Sequence, residues 1–247
     1  GGPFSDPNNR DAMNLGTSVV KEGEPLGLLY GRVATGIIKT QAQLEAAREE
    51  FSLWTIFDPY LNLGDIAYEY EDGFWKEDVI GHATPDFFGG YTNTINWNRF
   101  TLTALFTFSY GNDLIYQKDV SDSGMSSLAN RGTRVLNHYS EDNTSSNRPR
   151  SMWATTYMLS SLNVYDASYL KLKTLSLSYN LPESICRKVR IKSASVYGTA
   201  TNVFTITSYP GPDPEVSDDP TSVIGGGRDV STYPTVKSYT FGIRINF

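Results

Sequence analysis

The side chains able to do chemistry in this sequence are mostly carboxylates. Asp213-Pro214-Glu215 sets two acids one residue apart, as an acid–base or ligand-binding pair might be arranged. The structural alternative is that Pro214 fixes a turn while both acids cap backbone N–H groups, and this is the reading adopted here. A second acidic run, Glu69, Glu71, Asp72, Glu77 and Asp78, offers oxygens that suit a hard cation. Its spacing is not that of a helix–loop–helix calcium site, and Phe74-Trp75 occupy positions where polar ligands would be needed. A solvated acidic loop is therefore expected, and no metal is assigned. His82 and His138 have no partner serine or cysteine in a recognisable setting. The single cysteine, Cys186, can form no intrachain disulfide, and two histidines are too few to complete a Cys/His metal site. It is expected as a free thiol in a turn. Gly225-Gly226-Gly227 is not followed by the Lys-Ser/Thr of a phosphate loop and reads as flexible loop. No catalytic constellation emerges, so neither an enzyme nor a cofactor is expected.

Aromatic residues are the other chemically suggestive group. Trp54, Phe57, Tyr60, Phe74, Trp75 and Trp153 fall outside the alternating segments described below. Their faces could stack on sugar rings or contact peptide, and they could equally seal a partner interface or pack loops together. Trp54, Tyr60, Trp75 and Trp153 are carried forward as ligand-contact candidates. Tyr91 and Trp97 sit at strand ends, where barrel aromatics form interfacial girdles, and are set aside.

The elements that position these groups are strands. Aromatics make up 13 % of the 247 residues and charged residues only 19 %, against about 25 % charged in soluble proteins. The mean hydropathy of −0.34 argues against a helical membrane protein, and no apolar run reaches the ~18 residues of a membrane helix. It does not exclude a transmembrane barrel, whose strands alternate lipid-facing and lumen-facing residues. A net charge of −6 without a basic stripe leaves nucleic acid an unsuitable partner.

Period-two alternation is cleanest at the end of the chain. Tyr239, Phe241, Ile243, Ile245 and Phe247 share one face, and Thr240, Gly242, Arg244 and Asn246 the other. This length matches the roughly 9–11 residues with which a tilted strand crosses a bilayer. Phe100 to Phe108 alternates likewise, and Tyr91 to Trp97 precedes it across Asn98-Arg99, so the two form a predicted hairpin. Tyr169 to Leu181 carries an apolar phase shift between Leu172 and Leu175, which predicts a bulge. Arg190 to Thr207 reads as one long strand, and Leu26 to Ile38 as a weaker candidate. Gln41 to Phe51 has helix formers with apolar spacing at Leu44, Ala47 and Phe51.

The connections then separate two architectures. Asn98-Arg99 and Pro182 to Val189 are short, whereas the stretch after Gly111 and Ser208 to Thr235 are long and polar. A soluble sandwich has water at both ends and no reason for this alternation. An outer-membrane barrel has short periplasmic turns and long extracellular loops.

Five islands in this order resemble the SusC/RagA family of TonB-linked outer-membrane proteins. They are Lys21-Glu22-Gly23-Glu24-Pro25-Leu26-Gly27 with Tyr30-Gly31 and Gly36-Ile37; then Gly64-Asp65-Ile66, Val79-Ile80-Gly81, Pro85-Asp86-Phe87 and Gly89-Gly90. Next come Ser168-Tyr169-Leu170-Lys171-Leu172-Lys173 through Leu181-Pro182, then Asn202 to Thr207 with Tyr209, Gly211 and Asp213-Pro214-Glu215. Tyr233-Pro234 and the terminal strand close the series. The resemblance implies an all-β fold in which residues 1–247 form the C-terminal part of a 22-stranded transmembrane barrel, about six strands with long extracellular loops. It further implies that the N-terminal plug and earlier strands lie outside this chain, and that Phe247 is the terminal aromatic read by the barrel-insertion machinery. The implied function is TonB-dependent import of a glycan or oligopeptide across the outer membrane. Implied partners are the rest of the barrel and plug, a SusD-like lipoprotein lid, TonB through the N-terminal region, and membrane lipid. The residues alone also admit a soluble β-rich carbohydrate-binding module.

Overall fold

A computed structural model describes residues 12–14, 17–50, 61–72, 74–124, 130–151, 158–217, 226–233 and 235–247. The chain divides into two compact units. One comprises residues 1–84, 113–165 and 216–232, the other 85–112, 166–215 and 233–247.

The second unit is built from five long strands: β1 (Phe87–Trp97), β2 (Phe100–Tyr110), β3 (Tyr169–Asn180), β4 (Ser193–Thr207) and β5 (Ser238–Asn246). They form one antiparallel sheet in chain order, β1 beside β2, β2 beside β3, β3 beside β4 and β4 beside β5. The β1–β2 hairpin turns on Asn98-Arg99, with Trp97 opposite Phe100 and Asn98 at φ 53°, a left-handed value that a two-residue turn favours. The phase shift read from Leu172 to Leu175 is a real irregularity: the register of β3 slips between Leu172 and Thr174 against β4, matched by Asn202 at φ 51°. The leucines of β3 thereby stay on one face on both sides of the shift.

The bend between β3 and β4 holds a short helix, Glu183–Lys188, started by Pro182, whose carbonyl accepts from the Ile185 and Cys186 amides. Cys186 lies inside this helix and is 1 % exposed, so the turn expected there is a folded plug for the end of the sheet. The short connections, β1–β2 and β3–β4, share one end of the sheet with Asn246. The long ones, after Tyr110 and after Thr207, share the other.

Two glycines lock β4 to β5. Tyr197 pairs with Gly242 and Gly198 with Phe241, so each strand places a ring over the other's glycine, on opposite faces. A Cβ at Gly242 would stand 2.5 Å from the Tyr197 ring, and one at Gly198 would stand 3.1 Å from that of Phe241.

The first unit has an ordinary core. Its four-stranded sheet runs Ala12–Asn14, Ser18–Lys21, Leu28–Arg32, Glu77–His82, burying Val19, Leu28 and Leu29. The Leu26–Ile38 candidate is therefore not one strand of the long sheet. It divides into Leu28–Arg32 and Ala34–Ile37, which pair in different sheets, with Gly36 at φ 138°. Among the described residues the long sheet has five strands. The predicted helix is Gln41–Glu50, opened by a reciprocal cap in which Thr40 Oγ1 accepts from the Gln43 amide and Gln43 Oε1 from that of Thr40. Its Leu44 is buried. Ile37, Ile66 and Tyr139 form a small apolar cluster. Beside it Arg150 grips Asp65 with two bonds of 2.7 and 3.0 Å.

Gly242→Val must displace the Tyr197 ring. We expect a loss of about 1–3 kcal/mol from overpacking, read as a lower unfolding temperature. Adding Tyr197→Ala should recover part of it.

Candidate functional site

Alternation along five paired strands produces two faces of opposite chemistry. Phe100, Leu102, Ala104, Phe106 and Phe108 of β2 share a face with Leu175, Leu177 and Tyr179 of β3, Val196 and Ile206 of β4, and Tyr239, Phe241, Ile243 and Ile245 of β5. These residues are not covered: Phe241 is 82 % exposed, Ile243 68 % and, on β1, Trp97 74 %. A water-soluble sheet would bury such a face, because contiguous exposed apolar area beyond a few hundred Å² marks an interface. Aromatics gather near both ends. Trp97, Phe100 and Tyr179 adjoin in series at the short-turn end (6.3 and 4.8 Å between ring centres), and Phe87 stacks on Tyr110 at the long-loop end (5.0 Å). This is the arrangement of interfacial girdles. Between them the small residues Gly198 and Ala200 leave a shallow apolar trough of about 660 Å³, walled by Leu102, Leu177, Tyr239 and Phe241.

The opposite face is hydroxylic. Thr101 donates to Asn96 (2.8 Å), and Thr94–Thr103, Ser176–Thr199 and Thr201–Ser238 bond across neighbouring strands (3.3, 2.9 and 2.6 Å). These groups satisfy one another while still able to exchange with water, as a wet lumen wall requires.

Besides Arg244 of β5, this face carries one charged constellation, near its long-loop end. Lys171 of β3 is 1 % exposed, and its Nζ donates to Asp213 Oδ1 and Oδ2 (3.0 and 3.2 Å) and to Glu215 Oε2 (2.6 Å). Lys173 Nζ and the Tyr169 hydroxyl both donate to Glu215 Oε1, at 2.9 and 3.2 Å. Asp213 also accepts from the Glu215 amide (3.0 Å) and from the Thr235 hydroxyl. The turn reading of Asp213-Pro214-Glu215 thus holds for Asp213, whose carboxylate accepts from the Glu215 amide, but the cations on β3 are the main partners, which local spacing does not signal. Burial pushes both carboxyls up, and it is outweighed: hydrogen bonds from Thr235, the Glu215 amide and Lys171 hold Asp213 below the usual carboxylate range, and bonds from Lys171 and Lys173 do the same for Glu215. With both carboxylates and the Lys171 ammonium engaged, the group is structural.

Of the aromatic candidates, Trp54, Tyr60 and Trp153 lie outside the described residues, as does Phe57. Trp75 belongs to the first unit, in a hairpin of Tyr70–Glu71 and Phe74–Trp75, with the Arg32 guanidinium 4.1 Å from its ring centre. Neighbouring Phe74 is exposed, while burial pushes the nearby Tyr68 phenol up to about 12. Two acids flanking this hairpin serve ion pairs: Lys76 with Glu69 at 3.1 Å and Arg32 with Glu77 at 3.7 Å. Among the described residues no three His, Cys, Asp or Glu side chains converge as metal ligands. A second buried network that spacing did not reveal centres on Asp119, which accepts from Arg148 Nη2 and the Tyr165 hydroxyl, each at 2.6 Å.

No family model matches the chain. It is 31 % identical over 236 residues to TonB-dependent receptor P3 of Formosa agariphila, covering 94 % of this chain and 23 % of that protein. TonB-dependent receptors P39 and P26 of the same organism are 23 % and 26 % identical, over 97 % and 96 % of this chain and 27 % and 24 % of theirs. Among solved structures, the RagAB peptide importer in its "closed-closed" state matches with a TM-score of 0.69 at 25 % identity, over 96 % of this chain and 25 % of that one. The RagAB peptide transporter matches with a TM-score of 0.68 at 24 % identity, over 98 % and 24 %. The chain thus spans about a quarter of the length of the relatives it matches.

The Asp213 and Glu215 carboxyls have folded pKa values below their unfolded ones, so their contribution is complete above the ordinary carboxylate range, about 4. It is lost only as pH falls through the depressed folded values. Thermal unfolding of the full-length receptor should therefore be flat from about pH 7 to 5 in this contribution and decline below about 4. In Lys171→Met that acid-side decline should shrink, since the cation that depresses both carboxyls is gone.

Proposed function

Since the chain belongs to the TonB-dependent receptors of the SusC/RagA type, we propose that residues 1–247 supply the C-terminal strands and outer loops of an outer-membrane importer. The observation that carries this is the five-strand sheet itself. It has one bare apolar face ringed by aromatics at both ends, one hydroxylic face, and short and long connections segregated to opposite ends. A soluble carbohydrate-binding module has no use for a bare face of Phe, Leu and Ile, and the strand edges of β1 and β5 have no partner strand among the described residues. In the importer, those edges pair with the remaining strands, lipid covers the apolar face, and the hydroxylic face lines the lumen.

On this reading the cargo is an oligopeptide or a glycan, and the likeness to a peptide importer supports the former. A SusD-like lipoprotein lid would close over the outer loops, and TonB would act through the plug region that precedes these strands. The role is passage rather than catalysis. Trp75, with exposed Phe74 beside it, is proposed as a contact for cargo or lid, together with Trp54, Tyr60 and Trp153.

Orientation is testable in the intact receptor. Cys186 is buried and does not compete for labelling. A membrane-impermeant maleimide applied to whole cells should modify Ser231→Cys on the long connection but not Arg99→Cys in the hairpin turn. Labelling of Arg99→Cys without lysis would overturn the barrel orientation. TonB-dependent growth on a peptide or a glycan as sole nutrient then assigns the cargo class.

A further inference from the structure

The long connection between β4 and β5 leaves the sheet and comes back, and both of its legs end on the same few wall residues. The outgoing leg is held at Asp213 and Glu215, which close on Lys171 and Lys173 of β3. Just before it, the buried Tyr209 ring lies over Gly211, where a Cβ would sit 2.2 Å from the ring, so the leg keeps this close fold on itself only with glycine there. The returning leg is held at Thr235, whose hydroxyl donates to the Asp213 carboxylate, and at Val236, whose carbonyl accepts from Asn202 Nδ2 of β4 at 2.9 Å. Asn202 takes φ 51° at the register shift, which turns its amide toward that leg.

We propose that Lys171, Asp213 and Thr235 form a clasp that fastens both legs of this connection to the wall, making its base a fixed rim of the pore rather than a hinge. Lys171 is then a positioning residue. Its ammonium is nine-tenths and more buried and fully engaged by two carboxylates, one of which passes the constraint to the returning leg through Thr235. Two features separate this from simple sheet stability. The lysine's ion-pair partners both lie on the connection rather than on a neighbouring strand. Among the described residues the returning leg bonds to Asp213 and Asn202, so it can be released without touching β3. Motion required during import must accordingly arise beyond the clasp or in other loops. That this rim faces the cell exterior rests on the importer reading above; the clasp itself does not.

Hydrogen exchange of the full-length receptor in detergent micelles tests it, independently of membrane orientation. Lys171→Met should raise exchange about tenfold or more in residues 209–215 and 235–237, as loss of charge-assisted bonds implies. Strands β2, β3 and β4 should keep their protection. Unchanged exchange in either leg overturns the clasp. If Lys171→Met fails to assemble, Thr235→Val keeps every wall residue and should loosen residues 235–237 alone. Wild-type protection there, or a uniform loss across β2–β4, overturns the proposal equally.

Discussion

Everything in the long sheet follows from one constraint: backbone N–H and C=O groups facing hydrocarbon have no water to bond, so each strand must be paired along its membrane-spanning length. That requirement fixes the meander, since consecutive strands pair directly with their sequence neighbours. It also fixes the period-two sequence, because a paired strand can offer only alternate side chains to lipid and to the lumen. Even the irregularity opposite Asn202 obeys it. There the register slips, so Leu170, Leu172, Phe204 and Ile206 remain on the same side as Leu175 and Leu177.

The two units answer different solvents. The first buries leucines and isoleucines conventionally and fills its interior with ion pairs that end on backbone-anchored acids, Arg150 with Asp65 and Arg148 with Asp119. The second has almost no interior of its own within this chain; its large apolar side chains point outward and await other molecules. Mean hydropathy averages these two regimes and so carries little information about either.

Much of this was legible in the residues. The hairpin at Asn98, the bulge near Leu172, the terminal strand and the separation of short from long connections follow from alternation and turn chemistry, which are local. What escaped was non-local. Lys171 and Asp213 are far apart in sequence, and a lysine on a polar face is expected in water, so nothing in its neighbourhood signals burial. Residues 26–38 contain enough apolar residues for a spanning strand, but adjacent Leu28 and Leu29 are both buried, which belongs to a core and not to a two-faced wall. Cys186 looked like a turn residue because Pro182 interrupts the strand; the same proline starts the helix that buries it. The aromatic ligand candidates had composition but no spacing behind them, and only Trp75 falls where its surroundings are described.

The paired rings and glycines of the last two strands also bear on how the sheet finds its register. Backbone bonding alone cannot distinguish a pairing from one displaced by two residues, because the pattern of donors and acceptors repeats. Side-chain bulk can. Shifted by two, Phe241 would face Val196 or Ala200 in place of Gly198, and Tyr197 would face Thr240 or Arg244 in place of Gly242. Only one alignment gives both rings a flat seat, so the final strand is counted into place by shape, like a key with two cuts on opposite edges.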